Sequence, residues 1–140
     1  MRIMPLALYL HEAMGPCWND EKDAHEIVLN TSRITHAHPI SCIACGIYNE
    51  ILRGHNLQLA IDYGIEKAKA VYATQKELSG FLPEFQNVSL NTLKELPIHS
   101  IRGSGYVLDT LVSSLWCLLH TDCFRSCVLQ AVNLGEDTDT

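Results

Sequence analysis

The sequence predicts an all-α protein, a compact bundle of several helices. Three observations carry that prediction. Apolar residues recur at helical spacing through the middle of the chain, the intervening positions carry helix start and stop signals, and a near-continuous apolar stretch of helical length lies at 106–119.

In chain order, the first helix is expected within Met1–Gly15, where the early Pro5 suits a first helical turn. Glu12, Glu26 and Glu50 all fall on predicted helices, where a solvated face is their expected fate. A helix should begin at Pro39, turn Ile40, Ile43, Ala44, Ile47, Tyr48, Ile51 and Leu52 inward, and end at Gly54. The next is capped by Asn56. It places Leu57, Ala60, Ile61, Gly64, Ile65, Ala68, Val71 and Tyr72 on one face and Asp62, Glu66, Lys67 and Lys69 on the other.

Between Ser79 and Gly105 the periodicity fades, and Gly80, Pro83, Asn87, Pro97 and Gly103 mark a long, turn-rich connection with short helical turns near Ser89–Leu93. Tyr106–Leu119 is apolar nearly all round, which predicts a central helix enclosed by the others. Thr121 or Asp122 should cap a last helix reaching about Val132, and Gly135 is placed where a helix stop belongs. No repeat, low-complexity tract or linker divides the 140 residues, so 1–140 reads as one domain or one piece of a domain.

Composition narrows the function classes. Hydrophobic residues make up 47% and charged residues 19%, a globular profile, and the formal charge of -6 leaves no basic patch for nucleic acid or anionic membrane. The longest apolar run, Val107–Leu119, is interrupted by Asp109, Thr110, Ser113 and Ser114 and falls short of the ~20 residues a spanning helix needs. Of six cysteines, Cys42, Cys45, Cys117, Cys123 and Cys127 sit in apolar helical patterns and are expected as buried, reduced thiols, with Cys17 in a turn.

The chemistry-bearing residues concentrate in three places. Gly135-Glu136-Asp137-Thr138-Asp139-Thr140 brings two carboxylates and a hydroxyl together, a hard oxygen set suited to Mg²⁺ or Mn²⁺ rather than zinc. Alone, these six residues read as a solvated tail. Gly103-Ser104-Gly105-Tyr106 offers two glycines for close backbone approach and an aromatic ring for stacking; its structural alternative is a helix-entry turn with Tyr106 in the core. Thr35-His36-Ala37-His38 sits just ahead of a helix N-terminus that favours an anion, where the His36 imidazole either hydrogen-bonds a ligand or satisfies the helix. His36, His38, Cys42 and Cys45 also present the ligand types of a zinc site, although the histidines would have to fold back past Pro39 to join the cysteines.

The Gly-Ser-Gly-Tyr-Val-Leu-Asp-Thr-Leu segment from Gly103, followed by the Gly-Glu-Asp-Thr-Asp-Thr segment from Gly135, resembles the ADP-ribosylglycohydrolase family along essentially the whole chain. The resemblance implies Mg²⁺-dependent hydrolysis of ADP-ribose from protein side chains, with two ions in the complete family site and Mn²⁺ as an alternative. It implies Asp137, Asp139 and Thr140 as metal ligands and His36, Ser104, Gly105, Tyr106 and Gly135 as residues along the ADP-ribose cleft, while Asp109-Thr110 reads as structural.

The resemblance also places Met1–Gly15 inside the fold rather than in a signal peptide, and a cytoplasmic setting follows. Met1-Arg2 corresponds to the end of a family phosphate-binding segment. The family's Gly-Asp and Thr-Asp-Asp segments have no counterpart here, so the domain is expected to be incomplete, its acid/base carboxylate is assigned to no residue, and the isolated chain is expected to be inactive. Two function classes therefore stand side by side: a hydrolase, and a non-catalytic ADP-ribose-binding or scaffold protein built on the same fold. In either case, apolar surface left uncovered is expected to drive self-association.

Overall fold

The computed structural model describes residues 3–15, 21–54 and 56–137, with the side chains at 21 and 22 excepted. Among them every regular element is helical: α1 (Met4–Met14), α2 (Glu21–Arg33), α3 (Pro39–Leu52), α4 (Leu57–Ala73), α5 (Lys76–Ser79), α6 (Leu90–Glu95), α7 (Val107–Leu119) and α8 (Phe124–Asn133), with single 3₁₀ turns at Leu82–Phe85 and Ile98–Ser100. The backbone forms two compact units, 2–86 and 87–140.

The first unit is built around α3, against which α1, α2, α4 and α5 pack. Local chemistry sets its bounds. Pro39 occupies the first turn, and the His38 ring accepts the Ile40 N–H through Nδ1 at 3.3 Å, a capping role for that histidine. The helix stops at Leu52 with Arg53 as its cap, two residues before the expected Gly54. Asn56 caps α4 as its side chain predicts, with Oδ1 accepting from Leu59 N–H at 3.2 Å. Ala60, Ile61, Gly64, Ile65, Ala68 and Tyr72 form the buried face of α4, whereas Leu57, expected inward, is 40% exposed.

Small residues let α3 and α4 approach closely. A Cβ at Gly64 would strike the Ile51 backbone, and one at Gly46 would occupy the position of the Tyr72 ring and hydroxyl. Ten of the fourteen residues of α3 are buried, including Asn49 and Glu50, whereas Leu52, expected inward, is 38% exposed. Glu12 and Glu26 are exposed as expected, but Glu50 is 2% exposed. Its position seven residues after Ile43 and three after Ile47 puts it on the apolar stripe, and His25 of α2, Lys67 of α4 and the α3 cap Arg53 make its burial tolerable.

The second unit gathers α6, α7 and α8. The long connection expected from 79 to 105 is more ordered than its composition suggests: α5, α6 and both 3₁₀ turns fall within or beside it, and Ser89 caps α6 by accepting from Thr92 N–H at 3.2 Å. Trp116 Nε1 donates to the Leu96 carbonyl at 2.9 Å, and His120 stacks on Trp116 with ring centroids 4.3 Å apart. Ile101, Trp116 and Cys117 form a buried cluster with Leu96, Val112, Cys127 and Leu134 against it.

α7 is not the enclosed helix its composition predicts. Only Thr110, Leu111, Leu115, Trp116 and Cys117 are buried, and the helix enclosed by neighbours is α3. No residue of α8 is buried: Phe124 is 85% exposed, and Val128, Leu129 and Val132 are exposed as well. Its cap is Cys123, not Thr121 or Asp122. Cys42, Cys45 and Cys117 are buried free thiols as expected, but Cys123 is exposed and Cys127 half-buried; Cys17 lies outside the described residues.

Candidate active site

The two glycine-containing segments of the second unit meet. At the end of α8, Gly135 takes φ 79° and Glu136 φ 58°, consecutive left-handed residues that reverse the chain. The glycine adopts this freely, whereas a glutamate there costs on the order of 1 kcal/mol, strain that the tertiary contacts must hold in place. The turn delivers Asp137 to the 103–105 loop, where its N–H donates to the Gly103 carbonyl at 2.8 Å.

Both loop glycines are required by this approach. A Cβ on Gly103 would collide with the Gly135 carbonyl oxygen, and a Cβ on Gly105 would collide with the Asp137 carboxylate oxygen Oδ2. The Asp137 carboxylate therefore rests over the backbone of Gly105.

The loop itself is braced from α7. Ser104 Oγ donates to Asp109 Oδ2 at 2.5 Å and accepts from Tyr106 N–H at 3.2 Å, while Thr110 Oγ1 donates to the Tyr106 carbonyl at 3.2 Å. Asp109 and Thr110 thus act structurally, as expected. Tyr106 caps α7 and stays 49% exposed, so the alternative that buried it in the core does not hold; its ring is available at the surface.

Below Asp137 a cleft of about 210 Å³ opens between α7 and α8. Ser104, Thr110, Ser113 and Ser114 give one wall hydroxyl groups, Val128, Ala131 and Val132 make the other apolar, and Asp137 is the sole acidic residue lining it among those described. The sequence marked Ser113 and Ser114 only as breaks in an apolar run, not as site residues. Their signal is a polar pair inside an otherwise apolar helix. Asp139 and Thr140 lie outside the described residues.

The 35–45 segment assembles differently from a zinc site. Cys42 Sγ faces the carbonyls of His36 and Ala37 at 3.8 and 3.9 Å, His38 caps α3 and meets Phe81 edge-on at 5.5 Å, and His36 is exposed with Nδ1 3.0 Å from Thr35 Oγ1. Burial above all pushes the Cys45 thiol up, against a hydrogen bond with Ser32. No group of three or more His, Cys, Asp or Glu residues converges on a metal position among the described residues, so the zinc array is not formed there.

A polar network inside the first unit also escaped sequence reasoning. His25 Nε2 lies 3.0 Å from Glu50 Oε1, and His25 Nδ1 lies 3.1 Å from the Tyr72 hydroxyl. An ionised carboxylate only accepts, so the Nε2 that faces Glu50 carries a proton. Arg53 Nη1 donates to both Glu50 oxygens at 3.0 and 2.8 Å, and Lys67 Nζ is 4.0 Å away. Burial alone would raise the Glu50 carboxyl, but the His25 hydrogen bond with the charges of Arg53 and Lys67 outweighs it and holds the group below the ordinary carboxylate range. Burial, reinforced by Glu50, pushes the Tyr72 hydroxyl well above its usual value.

The sequence matches the ADP-ribosylglycohydrolase family over residues 1–140. The chain belongs to that family. Along its whole length this ADP-ribosylglycohydrolase family member is 29% identical to an ADP-ribosyl-[dinitrogen reductase] glycohydrolase of Rhodospirillum rubrum and 25% identical to an ADP-ribosylarginine hydrolase, Tri1, of Pseudomonas putida (strain GB-1). It spans 40% and 33% of those two proteins. A shorter match, 42% identical over 53 residues, links 38% of the chain to 14% of the Tri1 protein of Serratia proteamaculans (strain 568). No solved structure matches the chain significantly. The family's all-α character agrees with the described elements, none of which is long and apolar enough to cross a membrane.

Proposed function

We propose that this chain carries one part of a magnesium-dependent site that hydrolyses ADP-ribose from modified protein side chains, in a cytoplasmic setting. The observation that supports it is the meeting of the 103–106 and 135–137 segments, which sets a carboxylate over a glycine backbone among the residues that line a hydroxyl-bearing cleft. The names of the relatives favour ADP-ribosylarginine as the linkage, or ADP-ribosylated protein more generally.

In this reading Ser104, Gly105, Tyr106 and Gly135 border the bound ADP-ribose, with the exposed Tyr106 ring as a stacking surface and the Gly105 backbone open to close approach. His36, which is exposed on the first unit, is proposed as an ADP-ribose-binding residue on the family resemblance alone. Asp137, with Asp139 and Thr140, would hold magnesium, or manganese in its place. The residues present fit such an ion, since the cleft offers carboxylate and hydroxyl oxygens and neither sulfur nor imidazole. When bound, the metal would orient the ribose hydroxyls and polarise the scissile bond.

Asp109 does not compete for this role, because it is engaged by Ser104 and holds the loop. Among the described residues Asp137 is the sole acidic one lining the cleft, and the carboxylate that activates water is assigned to none of them. The second reading is that the chain binds ADP-ribose without turnover.

Calorimetric titration with ADP-ribose, with and without Mg²⁺, separates the readings when combined with an arginine-linked turnover assay. Metal-dependent binding that disappears in Asp137→Ala and Asp139→Ala supports the half-site. Metal-independent binding that survives both substitutions refutes the assignment of these residues as ligands.

A further inference from the structure

The hydroxyl wall of the α7–α8 cleft has a polarity that its residue types alone do not show. Ser104 Oγ donates to Asp109 Oδ2, Thr110 Oγ1 to the Tyr106 carbonyl and Ser113 Oγ to the Thr110 carbonyl, so each of these protons is already committed within the protein. A hydroxyl has one proton and two lone pairs, so what remains for a ligand is acceptor capacity. Even Ser104, which also accepts from Tyr106 N–H, retains one lone pair. Ser114, the remaining hydroxyl of the wall, can rotate to accept as well. Asp137 adds a carboxylate, and no Lys, Arg or His lines the cleft among the described residues.

Two further features narrow the occupant. The facing wall is hydrocarbon, and its Val128 and Val132 are 42% and 47% exposed, so an apolar group laid on them removes surface from water. The volume of about 210 Å³ lies below the roughly 300–1,000 Å³ of pockets that enclose a whole small ligand, so the cleft takes one end of a larger one.

A diphosphate does not suit this wall, because it would bring acceptors and negative charge to lone pairs and a carboxylate. Magnesium does not suit it either, since that ion wants oxygens all round and one side here is hydrocarbon. An alkylguanidinium meets every constraint. It is planar and cationic, carries N–H donors and no acceptor, and has a methylene stem that lies along apolar surface.

We propose that the α7–α8 cleft holds the arginine side chain of the substrate, with the guanidinium on the hydroxyl wall and Asp137 and the methylenes on Val128 and Val132. The role in substrate recognition rests on the reading of Asp137 as a metal ligand, which sets the arginine linkage beside the metal; the affinity for a guanidinium does not.

The test titrates the isotope-labelled 140-residue chain, without metal, with N-acetylarginine amide, followed by NMR. The expected result is a saturable shift at the Val128 and Val132 methyls and the Ser113 and Ser114 amides. N-acetylcitrulline amide, the neutral isostere, should bind at least about tenfold more weakly, because it lacks the charge that strengthens each hydrogen bond. N-acetyllysine amide, with its compact and strongly hydrated ammonium, should also be weaker.

Val128→Lys places a positive charge on the exposed apolar wall and should abolish the arginine response while leaving magnesium-dependent affinity for ADP-ribose as in the parent. The citrulline comparison needs no variant, so it decides the matter even where Val128→Lys melts early. Citrulline or lysine amide binding as tightly as arginine amide would overturn the proposal, as would arginine shifts that map outside α7 and α8. A parent that binds arginine amide but not ADP-ribose with magnesium would refute the metal-ligand reading and uphold the guanidinium site.

Discussion

Alanine at Gly103 and alanine at Gly105 should have opposite consequences, although the two positions are two residues apart in one loop. At Gly103 the new methyl meets a backbone carbonyl, that of Gly135, together with the Leu134 side chain. Neither retreats easily, because Asp137 N–H is bonded to the Gly103 carbonyl. Overpacking of this kind costs about 1–3 kcal/mol, and the lower entropy of an unfolded chain with alanine returns about 0.4–1. The net expectation is a loss of about 1–2 kcal/mol, a fall in melting temperature of roughly 3–10 °C for a chain of this size.

At Gly105 the methyl meets the end of the Asp137 side chain, which can rotate away. The same entropy gain then offsets most of the cost, and stability should stay within about 0.5 kcal/mol of the parent. The carboxylate, however, leaves its position over the loop, and magnesium-dependent affinity for ADP-ribose should fall at least about tenfold, equivalent to about 1.4 kcal/mol. Thermal melting and calorimetric titration of both variants provide the comparison. A Gly105→Ala protein that melts as early as Gly103→Ala yet binds as the parent does would refute the placement of Asp137.

The buried network predicts acid sensitivity. Glu50 has a folded value below its unfolded one, so its stabilisation is fully present above the ordinary carboxylate range and is lost as pH falls through the folded value. Glu50→Ala, which removes the carboxylate that Arg53 and His25 meet, should cost about 3–5 kcal/mol near neutral pH and flatten that acid limb in denaturant titrations; an unchanged limb would show that another carboxylate controls it. Gly46→Ala should abolish cooperative melting or shift it steeply down, because its Cβ overlaps the Tyr72 ring, and a variant as stable as the parent would contradict the α3–α4 packing. The exposed face of α8 should drive self-association in sedimentation, relieved by Phe124→Lys and Leu129→Lys; a monomeric parent at the same concentration would dismiss that surface.

What could be read from sequence follows the range of the interaction responsible. The starts of α3 and α4 were legible because Pro39 in the first turn, and Asn56 through its bond to Leu59 N–H, decide them locally. The burial of Glu50 was half-legible. Its register with Ile43 and Ile47 was present in the sequence, but a carboxylate is tolerated there only because His25 from α2 and Lys67 from α4 converge on it with Arg53, and no local pattern announces that convergence. The error over α7 has the same origin. Apolar composition reports what a helix could bury, whereas enclosure depends on how many neighbours arrive, and among the described elements α3 received more of them.

The candidate site divides along the same line. Neither periodicity nor spacing joins Gly103 to Asp137, which are 34 positions apart; only the family resemblance did so, and the geometry supplies a physical reason for each glycine that the motif alone does not. Ser113 and Ser114 illustrate the converse. As breaks in an apolar run they read as reasons against a membrane helix, yet in the fold they line the cleft beneath the carboxylate. A polar residue that interrupts a helix's apolar face must either be satisfied within the helix or face a polar cavity. Ser113 meets the first condition by donating to the Thr110 carbonyl at 3.1 Å, and it meets the second as well, which makes the hydroxyl wall of the cleft a direct consequence of where α7 departs from uniform hydrophobicity.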